Sequence, residues 1–128
     1  MKITSAGSTP YVSVDYEAGV IHISGRSTPF NAGIFFLPLY EMIKIIGEEQ
    51  KTLTLNFDLE YADNESCNSI CGIIRKVEEL QYRGLKARVN WNYESNTGNS
   101  VIKDLGRHLS DNHSVNIEFN KTSAYSNT

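Results

Sequence analysis

The chain is short of what catalysis, metal binding or membrane insertion usually needs. Its 128 residues include two cysteines, three prolines, three histidines and one tryptophan. Two thiols cannot build the disulfide framework of a small secreted domain. Cys67 and Cys71, four apart in a helical pattern, are also badly placed to bridge one another within a helix. A reducing cytoplasm is the compartment this usage predicts. There is no glycine-rich phosphate loop, nucleophile elbow or Ser-His-Asp order. His22, His108 and His113 lie far apart and match no zinc-ligand spacing, so each reads as a structural or surface residue. No apolar run approaches the ~20 residues that cross a bilayer. The longest, residues 34–40, is broken by Pro38 and followed by Glu41 and Lys44. The first residues lack the apolar segment of a signal peptide.

Positive charge is sparse as well. Twelve Lys and Arg against fifteen Asp and Glu leave a formal charge of −3, which weighs against nucleic acid as the main partner. Arg75-Lys76, Lys86 with Arg88, and Lys103 with Arg107 are scattered among acids and read as solvated faces. What is present is 40% hydrophobic and 21% charged residues, enough for one core and one domain. That domain is expected over residues 1–120, with 121–128 a flexible polar tail.

Periodicity supplies the architecture. Tyr11-Val12-Ser13-Val14-Asp15 alternates, Glu17-Ala18-Gly19 turns, and Val20-Ile21-His22-Ile23 returns, which predicts a hairpin with Gly19 free to take positive φ. His22 should point to the face opposite Ile21 and Ile23. Over residues 31–49, Ile34, Phe35, Leu39, Met42, Ile43 and Ile46 follow a helical period. Pro38 is expected to kink that helix or delay its regular part, and Gly47 to end it. Residues 52–59 alternate strictly as a strand; Ile70, Ile73, Ile74, Val77 and Leu80 mark a second helix closed by Gly84. Residues 85–91 alternate again. Val101, Ile102, Leu105 and Leu109 form a third helix, and Val115, Ile117 and Phe119 a last strand. The order β-β-α-β-α-β-α-β predicts an α/β fold with a mainly parallel central sheet, an N-terminal antiparallel hairpin at or near an edge, and three helices.

The stretch from Phe57 to Ile70 carries the most function. Asp58, Glu60, Asp63 and Glu65 crowd the end of the third strand, where α/β sheets collect ligands and partners. Asp63 or Asn64 is a good N-cap. The amides of that first helical turn would stabilise added negative charge. Three readings compete: a helix cap and nothing more, a small-ligand or metal site on Asp58, Glu60 and Asp63, or a charge-sensitive docking loop. Self-association through a sheet edge or apolar patch is a further alternative. Cys67, near the helix N-terminus, could have a lowered pKa. As buried small hydrophobes, Cys67 and Cys71 need no ligand role.

In this stretch and its flanks the chain resembles the SiaC family of bacterial regulatory phosphoproteins, whose fold is akin to STAS-domain anti-sigma-factor antagonists. The likeness rests on Ser8-Thr9-Pro10 with Asp15 and Gly19, and on Ile23-Ser24-Gly25-Arg26-Ser27 with Pro29 and Asn31. It continues in Leu55-Asn56-Phe57-Asp58-Leu59-Glu60-Tyr61 and Val89-Asn90-Trp91-Asn92-Tyr93, and it spans residues 9–119. The resemblance implies a non-enzymatic partner-switching protein with no cofactor. Its implied partners are a Ser/Thr kinase, a PP2C-type phosphatase and a diguanylate cyclase in a cyclic di-GMP pathway. The family's acceptor threonine lies in an Asn-Thr-Ser-Ser stretch. Carried over, Asp63 takes the Asn place, Asn64 the phosphorylated Thr place and Glu65 the next Ser place, while Ser66 keeps the last Ser. Asn64 has no hydroxyl. Either Ser66 or Ser69 serves as a displaced acceptor, or the protein is a permanently unphosphorylated binder with Glu65 as a fixed charge. The partner-binding loop implied is Tyr61, Asp63, Asn64, Glu65 and Ser66. Phe30, where the family tends to have Glu, and Asn96 and Gly98, where acids are common, imply an altered partner surface.

Overall fold

A hairpin followed by three strand-helix-strand crossovers accounts for the chain. The computed structural model describes residues 2–3, 8–94 and 101–122. In chain order the elements are β1 (Lys2–Ile3), β2 (Tyr11–Asp15), β3 (Val20–Ser27), α1 (Ala32–Glu49), β4 (Thr52–Ala62), α2 (Asn64–Tyr82), β5 (Lys86–Glu94), α3 (Val101–Asn112) and β6 (Ile117–Thr122). The strands lie side by side in that same order in one sheet. β1–β2 and β2–β3 pair antiparallel, and the remaining neighbours pair parallel. The predicted elements are all present, with one addition. The two-residue β1 pairs Lys2 with Ser13 and Ile3 with Val12 and flanks the hairpin. Two residues are too few to leave a periodic signal.

Sequential strand order has a geometric consequence. Right-handed crossovers that all step the same way across the sheet place every helix on the same face. Ile21, Ile23, Leu53, Leu55, Phe57, Val89 and Trp91 fill that face and are buried. Parallel strands are usually covered on both sides; here the second side carries polar rungs. Asn90 Nδ2 donates to Asn56 Oδ1 at 2.6 Å, and Asn92 Nδ2 to Asp58 Oδ1 at 2.7 Å. His22 Nε2 lies 2.8 Å from Asp58 Oδ2, on the side opposite Ile21 and Ile23 as its parity requires. This is why residues 52–59 alternate instead of forming a continuous apolar run.

α1 starts at its cap, where the Asn31 side chain accepts from the Ile34 amide at 3.1 Å. Its buried face is Ala32, Phe36, Leu39, Ile43 and Ile46. Ile34, expected on that face, is 70% exposed, and Phe36 takes its place. The helix runs through Pro38 to Glu49. The hydrogen bond that a proline removes would go to the Ile34 carbonyl, and both residues are on the exposed side of the helix. Gly47 does not end α1, which Gln50 caps. It lets α2 approach instead: a Cβ there would lie 2.5 Å from Leu80 Cδ1.

α2 buries Ile70, Ile73, Ile74, Val77 and Leu80, as the period predicts, and Gly84 follows it at φ +108°. α3 buries Ile102, Leu105 and Leu109 over Trp91. The Trp91 indole Nε1 donates to the Ile102 carbonyl at 2.9 Å, and its ring lies 4.9 Å from that of Phe57. Val115 is buried in the loop before β6, which begins two residues later at Ile117 and reaches Thr122. Residues 121 and 122 of the expected tail therefore stand in the sheet; residues 123–128, like Asn96 and Gly98, lie outside the described residues. Among the described residues no helix is long and apolar enough to cross a membrane.

Candidate functional site: the junction of β4 and α2

A bulge shapes the junction. β3 and β4 pair Ile23 with Phe57 and Gly25 with Leu59, then Arg26 with Tyr61 and Ser27 with Ala62. β4 thus carries one more residue, Glu60, than β3 across this step, which bends the strand and re-aims its last two residues. Gly25 takes the positive φ of +93° that the step needs. After it, Ser27 and Ala62 face the core, and Arg26 and Tyr61 stand together on the other side. The Arg26 guanidinium carbon sits 5.0 Å from the Tyr61 ring centroid, a contact worth about 0.5–1 kcal/mol at an exposed position.

α2 begins at once. Asp63 is its N-cap, accepting from the Ser66 amide at 2.8 Å. Asn64 and Glu65 are exposed in the first turn, where a carboxylate is favoured by the helix dipole. Ser66 turns inward and is fully buried. Its hydroxyl donates to the Ser27 carbonyl at 3.1 Å and lies 2.7 Å from the Ser27 hydroxyl. The Asp63 amide donates to that same carbonyl at 3.0 Å. Of the loop expected to meet partners, then, Asn64 and Glu65 face solvent, Tyr61 is partly covered and Asp63 is engaged in the cap. Ser66, one of the two candidate displaced acceptors, has its hydroxyl closed off. Ser69 is half-buried.

The acids do not converge. Asp58 is tied to His22 and Asn92 on the open sheet face, Glu60 is exposed at the bulge and Asp63 caps α2. Among the described residues no three His, Cys, Asp or Glu are placed to hold a metal ion. Cys67 Sγ lies 3.7 Å from the Ala62 carbonyl oxygen. Burial pushes its thiol pKa up, and the neighbouring Cys71 and Asp63 add to this. The lowering that the helix N-terminus could give is outweighed, because desolvation penalises a thiolate and Asp63 adds negative charge. Burial raises Cys71 too, with Arg75 opposing. His113 Nδ1 lies 3.2 Å from Glu78 Oε1, and His108 Nδ1 3.2 Å from Asn112 Nδ2. Both histidines hold local structure together.

Of the neighbouring surface, sequence reasoning singled out Phe30 but not Ile34 or Leu37. Phe30 is fully exposed, and Ile34 and Leu37 are also open to solvent. Ile34 and Leu37, three apart, form an exposed stripe on α1 beside the buried one, and Phe30 stands just ahead of the Asn31 cap. A pocket of about 260 Å³ opens between α1 and α2, lined by Gly33, Phe36, Leu37, Tyr40, Ser69 and Ile73. The signal was in the sequence: two overlapping apolar stripes on one helix are more than a single core contact requires.

Known proteins place this geometry. The family model for SiaC family regulatory phosphoprotein matches residues 3–123. An uncharacterised protein of Pseudomonas aeruginosa (strain UCBPP-PA14) is 25% identical over 95 residues, covering 73% of this chain and 75% of that one. The fold is that of SiaC of Pseudomonas aeruginosa, with a TM-score of 0.86 at 21% identity over 95% of this chain and 98% of that chain. A chain of the crystal structure of diguanylate cyclase SiaD in complex with its activator SiaC, also from Pseudomonas aeruginosa, superposes with a TM-score of 0.87 at 20% identity over 95% and 99%. With nearly its whole length matched, the chain belongs to the SiaC family of regulatory phosphoproteins.

Proposed function

We propose that this chain is a non-catalytic docking protein that controls a diguanylate cyclase in the cytoplasm, with a Ser/Thr kinase and a PP2C-type phosphatase as further partners. One juxtaposition carries the reading: exposed Asn64 and Glu65 stand at the start of α2, next to the α1–α2 pocket and the uncovered Phe30, Ile34 and Leu37. Burying a side chain of this size stabilises by about 1.5–3 kcal/mol. A patch that forgoes this within its own chain, beside a charged turn, fits a protein partner. The polar side chains at the junction already have structural tasks. Asp63 caps, Asp58 ties the sheet face, and Ser66 locks to Ser27. Membership of a regulatory family favours the same reading, and the complex of SiaD with its activator SiaC supplies the class of partner.

Position 64 sets the mode of control. Asn64 is exposed but has no hydroxyl, so this junction acts without phosphoryl transfer at that residue, and Glu65 supplies a fixed charge. The hydroxyl left for a displaced acceptor is Ser69, in the wall of the α1–α2 pocket. A phosphate there would add about −1.5 to −2 charge among Phe36, Leu37 and Ile73 and shut the pocket to apolar side chains. Calorimetric titration of the cell's own diguanylate cyclase tests the reading. Phe30→Ser, Ile34→Ser and Ser69→Asp should each weaken binding at least about fivefold, the scale of an interface hot spot, while Lys86→Gln leaves it unchanged. Affinity indifferent to all three would overturn it.

A further inference from the structure

Lys103 and Arg107, which in sequence belong to a scatter of solvated charges, come together in the fold. They lie four apart on α3 and line a second pocket, of about 190 Å³, with Tyr93 of β5 and Phe119 of β6. Residues at this spacing share one flank of a helix, so both cations face the same opening. Lys121 stands across from Tyr93 in the β5–β6 register and has the parity of Phe119, which directs a third cation to this side of the sheet. Among the described residues no carboxylate lines the pocket. Among the described residues none of the three cations enters an ion pair, whereas Lys76 and Arg83 both meet Glu79.

The floor is aromatic and fixed. Phe119 is 39% exposed, yet its ring is held against Gly106. A Cβ at Gly106 would come within 2.9 Å of Phe119 Cε1 and 2.5 Å of Trp91 Nε1. The glycine between Lys103 and Arg107 thus brings the ring level with the two cationic stems. Tyr93 supplies the opposite wall. The site lies toward the carboxyl end of β5, the end of a parallel sheet where ligands collect.

We infer that this pocket binds a small phosphate monoester carrying an aromatic ring, with the phosphoryl group between Lys103 and Arg107 and the ring on Tyr93 and Phe119. The charge fits: two to three cations without a carboxylate match a dianion better than a monoanionic carboxylate, and the guanidinium fork suits phosphoryl oxygens. The size fits as well. A cavity of about 150 Å³ admits benzene, so this one has room for a single ring beside the phosphoryl group. The site is on the α3–β6 side of the sheet and does not depend on the docking role of the α1–α2 corner.

Titration of the ¹⁵N-labelled full-length protein with phenyl phosphate tests this, followed by backbone amide shifts. Saturable shifts confined to residues around Tyr93, Gly106, Arg107 and Phe119 are expected, with at least about fivefold weaker binding of inorganic phosphate, which lacks the ring. Arg107→Gln and Lys103→Gln, both exposed and conservative for the helix, should each weaken phenyl phosphate about tenfold, as loss of a charged hydrogen bond does. Arg88→Gln should leave it unchanged. Adenosine 5′-monophosphate and free O-phosphotyrosine then distinguish a nucleotide from an aryl ester as the natural source. Shifts that fail to saturate, that survive both substitutions, or that inorganic phosphate reproduces at equal affinity would overturn the inference.

Discussion

The hydroxyl oxygens of Ser27 and Ser66 lie 2.7 Å apart, out of contact with solvent, although one ends β3 and the other is in the first turn of α2. Ser66 gives its proton to the Ser27 carbonyl, which leaves the Ser27 hydroxyl to donate to Ser66. This reciprocal pair pins the strand-helix junction to the neighbouring strand, so Asn64 and Glu65 are displayed from a rigid support.

Ser66→Ala should therefore cost about 1–3 kcal/mol, because the Ser27 hydroxyl would be left buried without its partner. Ser27→Ala should cost a similar amount, and the double variant less than the sum of the two. Ser66→Asp would bury an unpaired carboxylate and should destabilise more than either. Urea unfolding of the four variants checks this; strictly additive losses would mean that the hydroxyls do not interact.

Asn64 offers a cleaner handle on charge. Asn64→Asp puts a carboxylate on the exposed first residue of α2 and should raise stability by about 0.3–1 kcal/mol at low salt, falling as salt rises. Asn64→Thr restores a hydroxyl at the family's acceptor position. That variant, unlike the parent chain, should accept a phosphoryl group there from a family kinase, as phosphopeptide mass spectrometry would reveal.

Two helix glycines make opposite predictions. At Gly106 an added methyl meets the fully buried Trp91 ring, which its own hydrogen bond holds in place. Gly106→Ala should lose about 1–2 kcal/mol even after the helix-propensity gain of about 1 kcal/mol. At Gly47 the clash is with the flexible end of Leu80, so Gly47→Ala should lie within about 1 kcal/mol of the parent. Thermal unfolding of both decides; equal losses would contradict the packing described.

Glu78 ties α2 to the loop before β6. Its carboxyl is held below its ordinary value of 4.5, first by the Ser114 backbone amide and then by His113. A depressed carboxyl contributes stability that is full above its ordinary value and fades as pH falls through the lowered one. The stability gap between the parent and Glu78→Gln should be full above the ordinary value of 4.5 and close as pH falls through the lowered one. A gap independent of pH in urea melts at pH 7, 5 and 3 would refute the coupling.

Cys67 and Cys71 have pKa values raised above 9.0, chiefly by burial. At pH 7 both should react with iodoacetamide at least about tenfold more slowly than in urea, where the ordinary thiol pKa returns. Mass spectrometry of timed alkylation gives the ratio; equal rates would show the thiols to be open.

Much of this molecule was legible in the sequence because period and burial agree. Residues 52–59 alternate since only one side of β4 meets helices, and α2 shows one clean apolar stripe because only one side of it is buried. Legibility failed where an apolar residue does something other than fill the core. Ile34 obeys the helical period yet faces solvent, since α1 carries two overlapping stripes and periodicity cannot tell which one the chain itself covers. Gly47 looks like a helix end and is instead a close approach to Leu80, a distinction that depends on a residue 33 positions away. At the junction the cap at Asp63 was readable, but the inward turn of Ser66 depends on the bulge at Glu60, which no local pattern announces.

The left-to-right agreement between chain order and strand order has a bearing on how the molecule comes into being. Each new helix and strand can settle on an edge that is already complete, without threading past anything laid down earlier. During synthesis the hairpin, α1 and β4 can consolidate while the remainder is still emerging. α3 and β6 then close over Trp91 last, so the cationic pocket forms only once the ribosome has released the final strand.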